Sequence, residues 1–77
     1  MDEIINKTKE IINIMDRGDY MTAISYFEAE IRQHIIENTE SSEFWNLWRE
    51  QMEDIDNENW MGAIHRTELM RVCVESM

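Results

Sequence analysis

The residues best able to do chemistry in this 77-residue chain are few: His34, His65, Cys73 and a surplus of carboxylates. His34, His65 and Cys73 are the only imidazole and thiol ligands, and none stands at the close spacing of a zinc site. Glu30 and His34 lie four apart and share a helix face, but no Glu-x-x-His pair of the di-iron type occurs. Cys73 sits in an apolar run without a neighbouring base, and Ser25, Ser41 and Ser42 lack partners that would activate a hydroxyl. No Gly-rich loop is present to cradle phosphate. Arg17-Gly18-Asp19 spells an adhesion tripeptide, yet its surroundings read as a turn between helices. The sequence therefore predicts no catalytic residue, no metal, no cofactor and no enzyme activity.

What remains is charge. Seventeen acidic residues against seven basic ones give a formal net charge of −10. Between Glu37 and Glu58 lie Glu37, Glu40, Glu43, Glu50, Glu53, Asp54, Asp56 and Glu58, against Arg49 alone, so that stretch carries −7. Such a surface repels a duplex or an anionic membrane and attracts a basic protein. The first residues predict no basic leader, and no apolar run approaches the roughly 20 residues of a membrane span. A single cysteine suits a reducing compartment. The expectation is a soluble cytoplasmic protein forming one all-helical domain over 1–77.

Proline is absent and glycine occurs twice, which favours helices. Breaks at Asp16-Arg17-Gly18-Asp19, Asn38 to Ser42 and Asp56-Asn57-Glu58-Asn59 each hold residues able to cap a following helix. Four helices are thus predicted, as two hairpins over about 2–37 and 42–76, in a closed bundle or a short stack. Their apolar stripes are Ile4, Ile5, Ile11, Ile12, Met15; then Tyr20, Ala23, Ile24, Phe27, Ile31, Ile35; then Phe44, Trp45, Leu47, Trp48, Met52, Ile55; and last Trp60, Ala63, Thr67, Met70, Val74, Met77. Leu69, Val72 and Cys73 widen the apolar arc of the last helix.

The hairpins echo one another forty residues apart. Met15-Asp16-Arg17-Gly18-Asp19-Tyr20-Met21-Thr22-Ala23-Ile24 is answered by Ile55-Asp56-Asn57-Glu58-Asn59-Trp60-Met61-Gly62-Ala63-Ile64, and the echo fades beyond Ile64, where Ile31 meets Arg71. Gly18-Asp19-Tyr20-x-x-Ala23-Ile24-x-x-Phe27 resembles the turn and second helix of a tetratricopeptide repeat, and Asp56–Ile64 resembles it more weakly. The resemblance implies helical hairpins, aromatics that lock the turn and a groove for peptide or protein. The first-helix signature and the terminal proline of that family are missing, and the spacing is forty instead of about thirty-four.

At 100° per residue, Phe44, Trp48, Met52 and Ile55 fall on one side of the third helix, while Glu43, Glu50, Glu53 and Asp54 fall roughly opposite. With Glu40 before them and Asp56 and Glu58 after, they form an acidic ridge that can imitate the phosphates of a nucleic acid. The expected partner is a basic protein surface, such as that of a nuclease, a defence complex or a transcription factor. An inhibitor or modulator of phage or mobile-element origin is the biological form this suggests. Two other readings stay open. One is an adaptor holding a peptide against Tyr20, Tyr26 and Trp60. The other is a regulatory subunit that forms a homodimer through an apolar interface of Trp60, Met70, Val74 and Met77.

Overall fold

The computed structural model describes residues 2–77 and is all-α, with no strand among them. Its contacts fall into two compact units, Met1–Glu37 and Asn38–Met77, each a helical hairpin.

In the first hairpin, α1 (Asp2–Asp16) opens on Asp2 and Glu3, whose charges suit the positive end of the helix dipole. It buries Ile4, Thr8, Ile11, Ile12 and Ile14. The sequence pattern missed Thr8 and Ile14. Thr8 is fully enclosed because its Oγ1 donates back to the Ile4 carbonyl at 2.7 Å, so its one polar group arrives in the core already satisfied. α2 spans 20–37 and starts behind Asp19, whose carboxylate accepts from the Thr22 amide at 3.2 Å and the Thr22 hydroxyl at 2.7 Å. Those bonds from Thr22 hold the Asp19 carboxyl below its ordinary pKa.

α2 is not a uniform α-helix. It is α-helical over Tyr20–Tyr26, widens to a π-turn over Phe27–Ile31, and returns to α over Arg32–Glu37. The Arg32 amide bonds to the Phe27 carbonyl, five residues back. The reason lies in the spacing of the stripe. Phe27, Ile31 and Ile35 recur every four residues, so an unbroken α-helix would carry them progressively off the packing face. The wider turn rotates them back, and they are 0%, 0% and 2% exposed. On the outer side Arg32 forks onto Glu28 at 2.7 and 2.9 Å and lies 5.3 Å from the centre of the Phe27 ring.

The second hairpin pairs α3 (Glu43–Asp56) with α4 (Trp60–Glu75). The Ser42 hydroxyl caps α3 by accepting from the Trp45 amide at 3.3 Å. α3 buries Phe44, Trp45, Leu47 and Trp48, with Phe44 and Trp45 in an edge-to-face contact at 5.2 Å. α4 buries Ala63, Thr67, Met70, Cys73 and Val74.

The forty-residue echo is a repeated turn. α1 ends at Asp16 and α3 at Asp56, and α2 and α4 start at Tyr20 and Trp60. Between them the backbone passes through the left-handed region at Gly18 (φ 76°) and Glu58 (φ 56°). Gly18 N donates to Met15 O and Asp19 N to Ile14 O, just as Glu58 N donates to Ile55 O and Asn59 N to Asp54 O. This is a Schellman closure made twice, with Asp19 and Asn59 then serving as N-caps. Ala23 and Ala63 are buried in both copies, whereas Tyr20, Met21, Trp60 and Met61 are exposed in both. The turn is therefore held by main-chain bonds and caps. Tyr20 and Trp60 stand partly exposed at its edge.

The echo also continues past the point where the sequence lost it. If the π-turn holds one extra residue, Ile31 corresponds to Met70 and Ile35 to Val74, all buried. Arg32 then corresponds to Arg71, and each forks onto the matching glutamate: Glu28 four residues back, Glu68 three residues back.

Candidate acidic face of the second hairpin

The ridge begins in the linker. Asn38 Oδ1 accepts from the Glu40 amide at 2.8 Å, and Arg49 reaches back to donate to the carbonyls of Asn38 and Glu40 at 3.1 and 2.7 Å. Arg49 also donates to Asn46 Oδ1 at 2.9 Å. The one cation of the acidic stretch thus serves the backbone and an amide. Its bonds draw the linker onto α3 without neutralising a carboxylate.

Glu40, Glu43, Glu50, Glu53, Asp56 and Glu58 are all exposed. Glu43, Asn46, Glu50 and Glu53 follow one another along the outer side of α3, opposite the buried aromatic residues. Among the described residues, Glu43, Glu53 and Glu58 enter no ion pair. Glu50 is different, since Arg66 of α4 binds its carboxylate.

Asp54 does not belong to the ridge. It is only 7% exposed, and its Oδ2 accepts from Arg66 Nε at 2.7 Å. Asn59 Nδ2 approaches Asp54 Oδ1 at 3.4 Å while Asn59 Oδ1 caps α4 through the Gly62 amide. At 100° per residue Asp54 lies at the margin of the acidic side, and the Arg66 guanidinium draws it inward. The bond to Asp54 in turn holds Arg66 firmly protonated. Gly62 makes room for this cluster: a Cβ there would lie 2.5 Å from Asn59 Nδ2 and 3.1 Å from Asp54 Oδ2. Local spacing gives no sign of a bond between residues twelve apart on different helices, so Arg66 escaped sequence reasoning.

The expected apolar interface is also corrected. Trp60 and Met77 are exposed, but Met70 and Val74 are each 4% exposed and form part of the hairpin core. The widest unpartnered apolar side of α4 is instead Met61, Ile64, Leu69 and Val72. Tyr26 is half-buried, unlike the exposed Tyr20 and Trp60, so the three aromatics are not equivalent as peptide contacts.

Cys73 is buried, and that burial, with the charge of Glu43, pushes its thiol pKa up, away from the reactive thiolate. No three His, Cys, Asp or Glu residues are placed to hold a metal among the described residues. Arg17-Gly18-Asp19 is the Schellman turn and cap of the first hairpin. No described helix is long and apolar enough to cross a membrane. No protein-family model matches the chain, and no curated protein or solved structure is significantly similar to it.

Proposed function

We propose that the chain acts by binding, through the acidic face of α3 and the turn after it, a protein surface rich in lysine and arginine. Glu40, Glu43, Glu50, Glu53, Asp56 and Glu58 supply the charge, and a basic surface shaped for nucleic acid is the natural complement. In that form the chain would block or modulate its partner by occupying the phosphate site.

One observation carries this reading above simple solubilisation. Glu58 is exposed at the left-handed position of a turn whose counterpart in the first hairpin is Gly18. A side chain there is strained by about 1 kcal/mol relative to glycine, and a carboxylate needed only for solubility could sit elsewhere without that penalty. Arg49 adds support, because its bonds to carbonyls leave the neighbouring acids unneutralised.

The test compares two triple variants of equal charge. Glu43→Gln/Glu53→Gln/Glu58→Gln should abolish salt-sensitive capture of a basic partner, and Asp2→Asn/Glu10→Gln/Glu75→Gln should preserve it. Equal loss in both would reduce the effect to bulk charge. Binding that persists unchanged as salt is raised would remove electrostatic recognition altogether. A second reading draws on the exposed Tyr20-Met21 and Trp60-Met61 pairs, which recur at one position of the repeat. An adaptor for apolar peptides would lose binding with Tyr20→Ala and Trp60→Ala and be indifferent to the glutamate variants.

A further inference from the structure

The outward side of α4 has a composition unlike the rest of the molecule. Met61, Ile64, Leu69 and Val72 are exposed there, at 82%, 43%, 42% and 65%, opposite the face that packs in the hairpin. His65 and Glu68 are exposed between them, and together the six span an arc of about 140°. The segment from Trp60 to Met77 balances Arg66 and Arg71 against Glu68 and Glu75, so it is neutral in a chain of −10. It is the one helix on which two such acidic molecules can meet without opposing net charges.

The order of these six residues is self-complementary. We propose that a second copy of this chain covers this face, with two α4 helices packed antiparallel about a two-fold axis level with Arg66 and Thr67. In that register Met61 faces Val72 of the second copy and His65 faces Glu68, while Ile64 and Leu69 flank the seam on opposite sides, each beside its own counterpart. Each pairing occurs twice, as a two-fold interface requires. Apolar residues meet apolar residues, and the acid at the centre meets an imidazole able to donate to it. Glu68 also pairs with Arg71 on its own helix at 3.2 Å. The contact is one helix face wide, at the small end of specific interfaces, so a micromolar-range dimer is expected. Raising salt strengthens this dimer by screening the repulsion between two chains of −10, whereas it weakens capture of a basic partner.

Sedimentation equilibrium of the full chain at low and moderate salt tests the proposal. The expected result is a monomer–dimer equilibrium that tightens with salt. Met61→Glu and Val72→Glu, both at exposed positions, should each weaken it at least about 30-fold without changing the helical circular dichroism. His65→Glu should weaken dimerisation by setting like charges face to face. His65→Glu/Glu68→His should restore it, a rescue that only the antiparallel register provides. A monomer throughout the millimolar range would overturn the proposal. So would a dimer indifferent to Met61→Glu and Val72→Glu, or capture of a different protein by this face while the chain stays monomeric.

Discussion

Glu58 and Asn59 illustrate how one turn answers to different demands in its two copies. Gly18 adopts the left-handed conformation without a Cβ penalty, and Glu58 adopts it against one. Glu58→Gly should therefore raise stability by about 0.5–1 kcal/mol, read as an upward shift in the urea midpoint. The same substitution should weaken binding to a basic partner, the usual exchange of stability against function. Asn59 stands where the first hairpin has Asp19, and the two residue types are equally good caps in general. Here Asp54 lies against the cap, so a second carboxylate would be repelled. Asn59→Asp should lower stability by about 1 kcal/mol in thermal unfolding at neutral pH. Asp19→Asn in the first hairpin meets no such neighbour.

At the scale of elements, helix number, helix limits and capping residues could be read directly from the chain. Asp19, Ser42 and Asn59 are short polar residues directly before apolar periodic runs, and each caps the helix predicted for it. The π-turn could not be read, because apolar residues four apart fit an amphipathic α-helix as well. Met70 and Val74 belong to the apolar stripe read from the chain, and their burial there leaves them unavailable to an external interface. They lie on the same stripe as Ala63 and Thr67, and their side faces the hairpin partner. The inward pull on Asp54 depends on Arg66, twelve residues away, and such pairings leave no trace in local spacing.

The π-turn leads to a further element-scale prediction. Deleting Ala29 should convert Phe27–Ile31 to regular α-helix and leave Phe27 and the two isoleucines at the i, i+3, i+7 spacing of Thr67, Met70 and Val74. The variant should keep its helical circular dichroism and a cooperative transition. Deletion of Ser25, one turn earlier, should rotate Ala23 away from the partner helix and cost several kcal/mol. If the two deletions proved equally harmful, the π-turn would not be the extra residue of the repeat.

For the whole molecule, charge is distributed more unevenly than composition suggests. The second hairpin holds all its excess acid before Trp60, and the helix that follows is neutral. Self-repulsion along the acidic stretch opposes folding at low ionic strength. The melting temperature should therefore rise by several degrees as salt increases through the physiological range, where the screening length falls to about 8 Å. The triple variant Glu43→Gln/Glu53→Gln/Glu58→Gln should show a smaller rise. Differential scanning calorimetry at matched dilute protein concentration separates this effect from the salt-promoted association proposed for α4.

The wide turn at Phe27–Ile31 bears on heredity as well as on packing. Adding or losing one residue in a buried helix ordinarily swings everything beyond it by about 100° and empties the core. Here the backbone absorbs the surplus within a single turn, and Ile31 and Ile35 stay enclosed. A gene that doubled this hairpin could then gain or lose one codon at this turn while both proteins still folded. Two halves of unequal length are thus compatible with one inherited design.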